Sequence, residues 1–314
     1  MQCPTCQAKA RKFGHDRYGN QRYQCLGCRK TFSERPARPL GTMRLDLDKA
    51  VAVLQLLLEG VSVRVSRRIS RVNRSTILDL LALVGDGCER MLDDRVSSVP
   101  VVDVQCDQTS GFVAMKEKTR ERKRPAETAI GDAYCYVGME RESKLFLAWH
   151  LGRWCKEDIK EFADKLALAT SGRFLVTTDG HRPCQTAIPA SLTGVDFAQL
   201  VKVYATKDDH KYSPVDVVGT QKTPCCGRPD TDRICTSHVE RQNLTIRMQN
   251  RRMTRLTNAF CKKWANHRAA LALHFAYYNF CRVHSSLKRT PAMAAGLEAH
   301  PWTLRELVKR SALA

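Results

Sequence analysis

VPVVDVQCD, residues 99–107, is the stretch at which the periodicity of the chain changes. Before it, apolar residues recur at helical intervals. Over 99–106 they alternate with polar ones, the pattern of a half-buried strand, and Asp107 follows directly. Toward the C-terminus, residues 133–139 and 145–151 read as two more strands, 156–170 as a helix, and 174–178 as a buried strand that ends in Asp179. Another strand runs through 200–204, and two helices follow, over about 237–255 and 258–279.

Three strands, a helix, two more strands and then helices fit the order of an α/β fold with a ribonuclease-H-like mixed sheet. In that layout Asp107 lies on the first strand, Asp179 just beyond the fourth, and Glu240 on the helix packed across them. Three carboxylates distant in sequence then converge, and convergence has a chemical purpose. The charge of a phosphodiester repels nucleophiles, and two Mg2+ ions about 3.5–4 Å apart activate the attacking oxygen and stabilise the leaving one. Mg2+ prefers hard oxygen ligands and keeps several waters, so three carboxylates suffice. Each acid also has an ordinary reading: Asp107 ends a strand, Asp179 begins an Asp-Gly turn with Gly180, and Glu240 pairs with an arginine. Asp103 competes for the first position, because it lies on the same strand face as Asp107.

The surroundings of Glu240 suggest a metal without deciding for it; what raises that reading is where Asp107 and Asp179 fall. Residues 236–260, TSHVERQNLTIRMQNRRMTRLTNAF, set that carboxylate among Arg241, Arg247, Arg251, Arg252 and Arg255. So basic a surface suits phosphate, and an acid within it repels such a ligand unless it holds a cation between. Helix pairing with a nearby arginine is the plainer alternative.

The whole chain is basic. Its 314 residues carry a formal charge of +20, with a sequence pI near 9.6, which favours a polyanionic partner, nucleic acid ahead of an anionic membrane surface. The length predicts two or three domains. No signal peptide is legible in MQCPTCQAKARKFG, and apolar runs such as 51–58 are too short to span a bilayer. The expectation is a soluble, intracellular protein with no membrane partner, in which the fourteen cysteines stay reduced.

Four of those cysteines form a pattern: Cys3-x2-Cys6 and Cys25-x2-Cys28, separated by 18 residues, are two knuckles that close a tetrahedral site for one structural Zn2+. Residues 1–44 hold ten Lys or Arg against two acids, with Tyr18, Tyr23 and Phe32 interleaved, so the ribbon reads as a DNA-contacting module too. Cys225, Cys226, Cys235 and His238 are a poorer set: adjacent thiols do not suit a knuckle, and Pro224, Gly227 and Pro229 mark a loop.

A proline-marked linker, 34–41, leads to a helix over 45–59 that Gly60 stops. Ser62 caps a second helix, and a third starts at about Asn73, with Arg74, Ser75 and Thr76 in its first turn and Ile77, Leu80, Leu81 and Val84 inward. This is helix-turn-helix spacing, in which the first turn of the third helix reaches bases or phosphates in the major groove. Any three-helix bundle shares the pattern. Arg71 stands in the turn where glycine would relieve a left-handed backbone, and Ser66 and Ser70 fall where apolar packing residues are expected.

Ribbon, helix-turn-helix and acid triad in this order resemble the bacterial insertion-sequence-1 type DDE transposases, over nearly the whole chain. The stretches that carry the resemblance are RYQCLGCRKTF, LEGVSVRVSRRISRVNRSTILDLL, GDAYCYVGMERESKLFLAWHLG, TTDGHRPCQTAI, TSHVERQNLTIRMQNRRMTRLTNAFCKKW and HFAYYNFCRVHSSLKRTPAMAAGL. The resemblance implies Asp107, Asp179 and Glu240 as the catalytic triad holding two Mg2+ or Mn2+ ions, which decides against Asp103. It adds Asn243, one turn further along the helix. His181 and Arg182, directly after Asp179, either position the scissile phosphate or its attacking water or simply begin an ordinary solvated helix. Arg247 and Arg251 are candidates for DNA contact; beyond the aromatic run 275–280, which reads as core, Arg282, His284 and Lys288 touch DNA backbone or simply face water, and the sequence does not decide between the two. The chain also departs from the family. Its first motif reads Asp107-Gln-Thr-Ser-Gly-Phe-Val113 where the family's looks like DEIWSFV, and Cys184 stands where an aromatic is usual.

The expected organisation is a zinc ribbon over 1–35, a helix-turn-helix domain over 45–95, a ribonuclease-H-like catalytic domain over 99–290 and a helical tail over 291–314. The expected function is transposition. Ribbon and helix-turn-helix bind the terminal inverted repeats of an insertion sequence, and the triad cleaves a strand to a 3′-OH and transfers it into target DNA. Such a protein acts as a homo-oligomer on double-stranded DNA, at the nucleoid of the bacterial cytoplasm. The altered segment 108–111 favours an alternative, a decayed or domesticated copy that represses by binding the repeats, and the intact triad opposes it. A nuclease without strand transfer is a third reading, which the DNA-reading modules at the N-terminus disfavour.

Overall fold

A computed structural model describes residues 1–16, 19–33, 39–204, 217–254 and 257–314. Tyr18, most of the proline-marked linker and Arg255 lie outside the described residues. The ribbon is a three-stranded antiparallel sheet of β1 (Ala10–His15), β2 (Gln21–Cys25) and β3 (Thr31–Ser33), with the Tyr23 ring stacked on Phe32.

Three helices follow: α1 (Leu47–Leu58), α2 (Val63–Ser70) and α3 (Arg74–Arg95). The Asp46 carboxylate caps α1, and the Ser62 hydroxyl caps α2 by accepting from the Val65 N–H. Gly60 holds a φ of +74° and lies so close to the Met248 carbonyl that a Cβ has no room, so the α1–α2 turn requires glycine twice over. Arg71 does adopt the left-handed conformation, with φ 57° and ψ 18°, at a cost of about 1 kcal/mol. The serines beside it tie the turn. Ser66 is fully buried, its carbonyl accepts from the Ser70 hydroxyl at 2.7 Å, and that hydroxyl accepts from the Val72 N–H at 3.2 Å. Ile77, Leu80, Leu81 and Val84 all point inward.

Beyond α3 the chain builds β4 (Val99–Pro100), β5 (Asp103–Val113), α4 (Glu117–Lys123), β6 (Gly131–Glu140), β7 (Phe146–Gly152), α5 (Lys156–Ala169) and β8 (Thr170–Ser171). Then come β9 (Leu175–Asp179), α6 (Cys184–Ser191), β10 (Asp196–Tyr204), β11 (Val217–Cys226), α7 (Ser237–Gln249), α8 (Trp264–Phe280), α9 (Pro291–Ala294) and α10 (Leu304–Ser311). The main sheet is mixed, in the order β11-β10-β9-β5-β6-β7. β5, β6 and β7 form an antiparallel meander, β9 runs parallel to β5, and β10 parallel to β9. β11 closes the far edge antiparallel to β10. α5 and α6 cover one face; α7 and α8 lie on the other. α3 packs along α8, where Gly85 leaves no space between its backbone and Ala269, and α10 packs on α3 at Gly87. One continuous apolar core therefore runs from Leu54 on α1 to Val308 on α10.

Several boundaries differ from the sequence reading. The first strand is split: Val99 and Pro100 pair with Thr170 and Ser171, and β5 proper runs from Asp103 through Val113. Asp107 thus sits mid-strand, because β6 pairs with β5 residue for residue as far as Val113↔Gly131. α7 ends at Gln249 rather than at Arg255. Past it the Thr254 hydroxyl donates to the Arg247 carbonyl and the Arg252 N–H to the Asn250 side chain, which turns the chain away. α8 begins at Trp264, not Asn258, and carries the run 275–280 into the core apart from the half-buried Tyr277. Among the described residues no helix is long and apolar enough to cross a membrane.

Candidate functional site

The four ribbon cysteines meet. Cys3 Sγ lies 3.7 Å from Cys28 Sγ and Cys6 Sγ 3.3 Å from Cys25 Sγ, and all four sulfurs fall within 4.8 Å of one another. Zn–S bonds of about 2.3 Å arranged as a tetrahedron put sulfurs about 3.8 Å apart. Backbone N–H groups point at the sulfurs, Thr5 to Cys3 at 3.4 Å and Cys28 to Cys25 at 3.3 Å. Left-handed residues directly after each pair, Gln7 at φ 58° and Arg29 at φ 56°, fold each knuckle back on itself. The Thr5 N–H holds the Cys3 thiol below its usual value, whereas burial and the neighbouring sulfurs push the Cys28 thiol up to about 11, so without a cation the four do not ionise together. The set can hold a structural zinc. Cys225 and Cys226 instead fall at the end of β11, a strand that the proline and glycine pattern concealed.

The acids assemble through the sheet register. β5 and β9 pair as Asp103↔Leu175, Val104↔Val176 and Gln105↔Thr177, and just beyond that pairing Asp107 and Asp179 come close enough to share hydrogen bonds from Gln108 and for the charge of Asp179 to act on Asp107. On that face of β5, Gln105 anchors α7: its Oε1 accepts from the His238 and Val239 N–H groups at 3.1 and 3.3 Å, satisfying donors that a helix N-terminus leaves open. One turn along, Asn243 Nδ2 donates to Asp107 Oδ2 at 2.7 Å. Glu240 accepts from the Thr236 hydroxyl at 2.7 Å through one oxygen and from the Lys202 ammonium of β10 through the other. Gln108 joins the two aspartates, its N–H donating to Asp107 Oδ1 at 2.8 Å and its Nε2 to Asp179 Oδ2 at 2.7 Å. The turn after β9 is held by Gln199, whose Nε2 donates to the Asp179 and His181 carbonyls at 2.9 and 3.0 Å, while the His181 N–H donates to Asp179 Oδ1 at 3.2 Å.

Burial pushes the Asp107 carboxyl up to about 6, and the charges of Asp179 and Glu240 push it the same way. A cation among the three acids would reverse that. Asn243 Oδ1, buried and without a hydrogen-bond partner, adds a hard oxygen at the same place. The trio is more open than the cysteine set and is not among the described groups whose ligand atoms all lie within 4.8 Å. Asp103 serves the fold instead. Fully buried, it pairs with Arg141 at 3.0 Å and Arg233 at 3.4 Å, and so ties the β6–β7 turn to the segment before α7.

The remaining candidates lie around this centre. The His181 ring, its pKa lowered by burial, packs on Trp154 with centroids 3.9 Å apart, and Arg182 is exposed. Arg74 and Ser75 are exposed and Thr76 half-buried at the start of α3, continuous with exposed Arg64, Arg67, Arg68 and Arg71. Arg251 is exposed and Arg247 half-buried at the end of α7; Lys288 is exposed, Arg282 and His284 half-buried. Sequence reasoning missed Gln105, Lys202 and Gln199, whose partners lie on other elements. It also missed a group on the far face, where buried His150 of β7 meets Asp158 at 2.7 Å and Glu161 at 3.2 Å on α5. Asp158 there also accepts from the Arg153 N–H at 2.8 Å, fastening α5 to the sheet.

Comparison with known proteins leaves the geometry to speak alone: no family model matches the chain, and no curated protein is similar to it.

Proposed function

We propose that this chain is a DDE transposase of the insertion-sequence-1 type, in which Asp107, Asp179 and Glu240 hold two Mg2+ or Mn2+ ions for strand cleavage and strand transfer. One observation carries the reading: Asp107 and Asp179 stand on adjacent parallel strands beneath Asn243, which bonds Asp107, and Glu240, whose charge reaches Asp107. The meander β7-β6-β5 continued by parallel β9 and β10 supports the ribonuclease-H-like assignment. The donor set fits the ions, being hard carboxylate oxygens around a centre where burial, together with the charges of Asp179 and Glu240, raises Asp107. When bound, they activate the attacking oxygen and stabilise the leaving one. The chain's own groups do the rest. Asn243 and Gln108 orient the aspartates and Thr236 orients Glu240, and His181 and Arg182, which follow Asp179 directly, are the candidates for contact with the phosphate.

The exposed arginines of α2 and the start of α3, with the basic ribbon, supply contacts to the terminal inverted repeats, and Arg247 and Arg251 extend the basic surface toward target DNA. In this reading the protein works as a homo-oligomer on double-stranded DNA at the bacterial nucleoid. The test is strand transfer of a pre-cleaved repeat end into plasmid in Mg2+ or Mn2+. Wild type should transfer, and Asp107→Asn, Asp179→Asn and Glu240→Gln should each be inert while still binding DNA. One feature favours a second reading, a repeat-binding repressor: Gln108 puts a neutral amide on Asp179 where the family's motif carries an acid. Wild type that binds the repeats specifically and transfers nothing would establish it.

A further inference from the structure

We propose that Lys202 is the resident counter-cation of Glu240: it occupies the carboxylate before metal arrives, competes with metal for it, and moves to a DNA phosphate when metal loads. This rests on the metal site proposed above and adds a residue to it. Leu200 of β10 pairs with Asp179 of β9, and Lys202, two residues on, projects from the same face of the sheet as Leu200, toward α7. There its ammonium donates to Glu240 Oε2 while the Thr236 hydroxyl donates to Oε1. Both carboxylate oxygens are thus engaged. A divalent ion at Oε2 would share that oxygen with the ammonium, and the repulsion between the two cations favours one or the other there.

The bridge is placed to be broken. The two side chains keep 29% and 35% of their surface exposed, and ion pairs at such exposure are weak enough for a divalent cation to displace. A lysine ammonium is a compact point charge on a flexible four-carbon stem, so it can leave Glu240 for a nearby anion without any backbone change. The anion supplied by the proposed substrate is a phosphate. A structural bridge would behave oppositely, since its loss would disorder Glu240 and weaken metal binding.

The experiment is a Mn2+ titration of the full chain without DNA, followed by electron paramagnetic resonance of the free ion. Lys202→Met should tighten Mn2+ binding about tenfold, the equivalent of one pKa unit of charge interaction, and Lys202→Gln should do the same if the methionine variant folds poorly. Lys202→Arg, which keeps the charge, should stay near wild type. With Mn2+ present, the neutral variants should bind DNA with a salt slope lower by about one counterion. Unchanged or weakened Mn2+ affinity in both neutral variants overturns the role of Lys202. The metal site itself is tested by Glu240→Gln. Mn2+ binding at wild-type strength in that variant overturns the metal site, whereas its loss there, with no gain in Lys202→Met, overturns only the counter-cation.

Discussion

The Gln108 side chain on β5 donates to Asp179 on β9 at 2.7 Å while its own N–H donates to Asp107 at 2.8 Å, so one neutral residue spans both aspartates. In the proposed transposase reading it is also the residue at which the first acid motif departs from the family's. An amide satisfies the two carboxylates without adding to their charge. In Gln108→Glu, Asp179 loses its donor and faces a like charge, which should lower metal-free stability by about 1–3 kcal/mol. Mn2+ should restore more of the melting temperature in this variant than in wild type. Melting curves with and without Mn2+ check this; equal metal effects would show that Gln108 stands outside the ion's reach.

Asp103 and Asp107 share a strand face and should separate cleanly on mutation. Asp103→Asn leaves Arg141 and Arg233 without their buried partner and should cost about 2 kcal/mol, less than for a fully buried pair because the two arginines are 31% and 35% exposed. It should leave strand transfer largely intact below the melting point. Asp107→Asn removes a carboxyl that burial already disfavours, so it should keep or raise metal-free stability while abolishing transfer. Urea denaturation beside the transfer assay distinguishes the two.

Zinc should be present at about one ion per chain in protein purified without chelator. Cys25→Ser removes a buried ligand and should release the ion and unfold β1–β3, while the main sheet melts as before. Metal analysis and the near-ultraviolet signal of Tyr23 report the two effects. Zinc-free protein with a folded ribbon would overturn the assignment.

If the start of α3 reads sequence, Arg74→Ala should weaken binding to the repeats by about 1–3 kcal/mol and to random DNA by less. Arg67→Ala, on the exposed side of α2, should weaken both equally. Competition binding at two salt concentrations gives the comparison. Equal losses for Arg74→Ala would make it a backbone contact.

Acid should destabilise the protein through α8. Burial holds His267 down at about 3 and His274 at about 4, so both stay neutral in the folded chain. Unfolded, they take up protons near pH 6.5. Their contribution to stability is therefore complete above about pH 6.5 and is lost as pH falls toward the folded values, by up to about 1.4 kcal/mol per pH unit for each histidine. Urea midpoints at pH 7.5 and 5 should show the drop, and His274→Gln should reduce the slope.

Features that depend on a few neighbouring residues were readable in the amino-acid sequence: the two cysteine knuckles, the Ser62 cap, the left-handed Arg71, Asp179 at a strand end, and the inward stripe of Ile77, Leu80, Leu81 and Val84. Caps, turns and knuckles are short-range objects. What had no local signal was missed. α4 is a short charged helix with no buried residue, held instead by Glu117 accepting from the Asp132 N–H, and β11 is a largely exposed edge strand with nothing to make it alternate. Residues 108–111 lie beyond the strand that alternation marks out, yet they continue β5, because β6 supplies the partner.

The sequence alone therefore determined which residue types were available for the site: three separated carboxylates, four paired thiols and an excess of positive charge. Which of these residues meet is set by the fold. The parallel pairing of β5 and β9 brings Asp107 close to Asp179, Gln105 anchors α7 so that Asn243 bonds Asp107, and β10 delivers Lys202 to Glu240. A side chain's charge states what it attracts but not which partner it finds. That choice belongs to strand order and helix docking, which are settled by the burial of apolar surface far from the charges themselves.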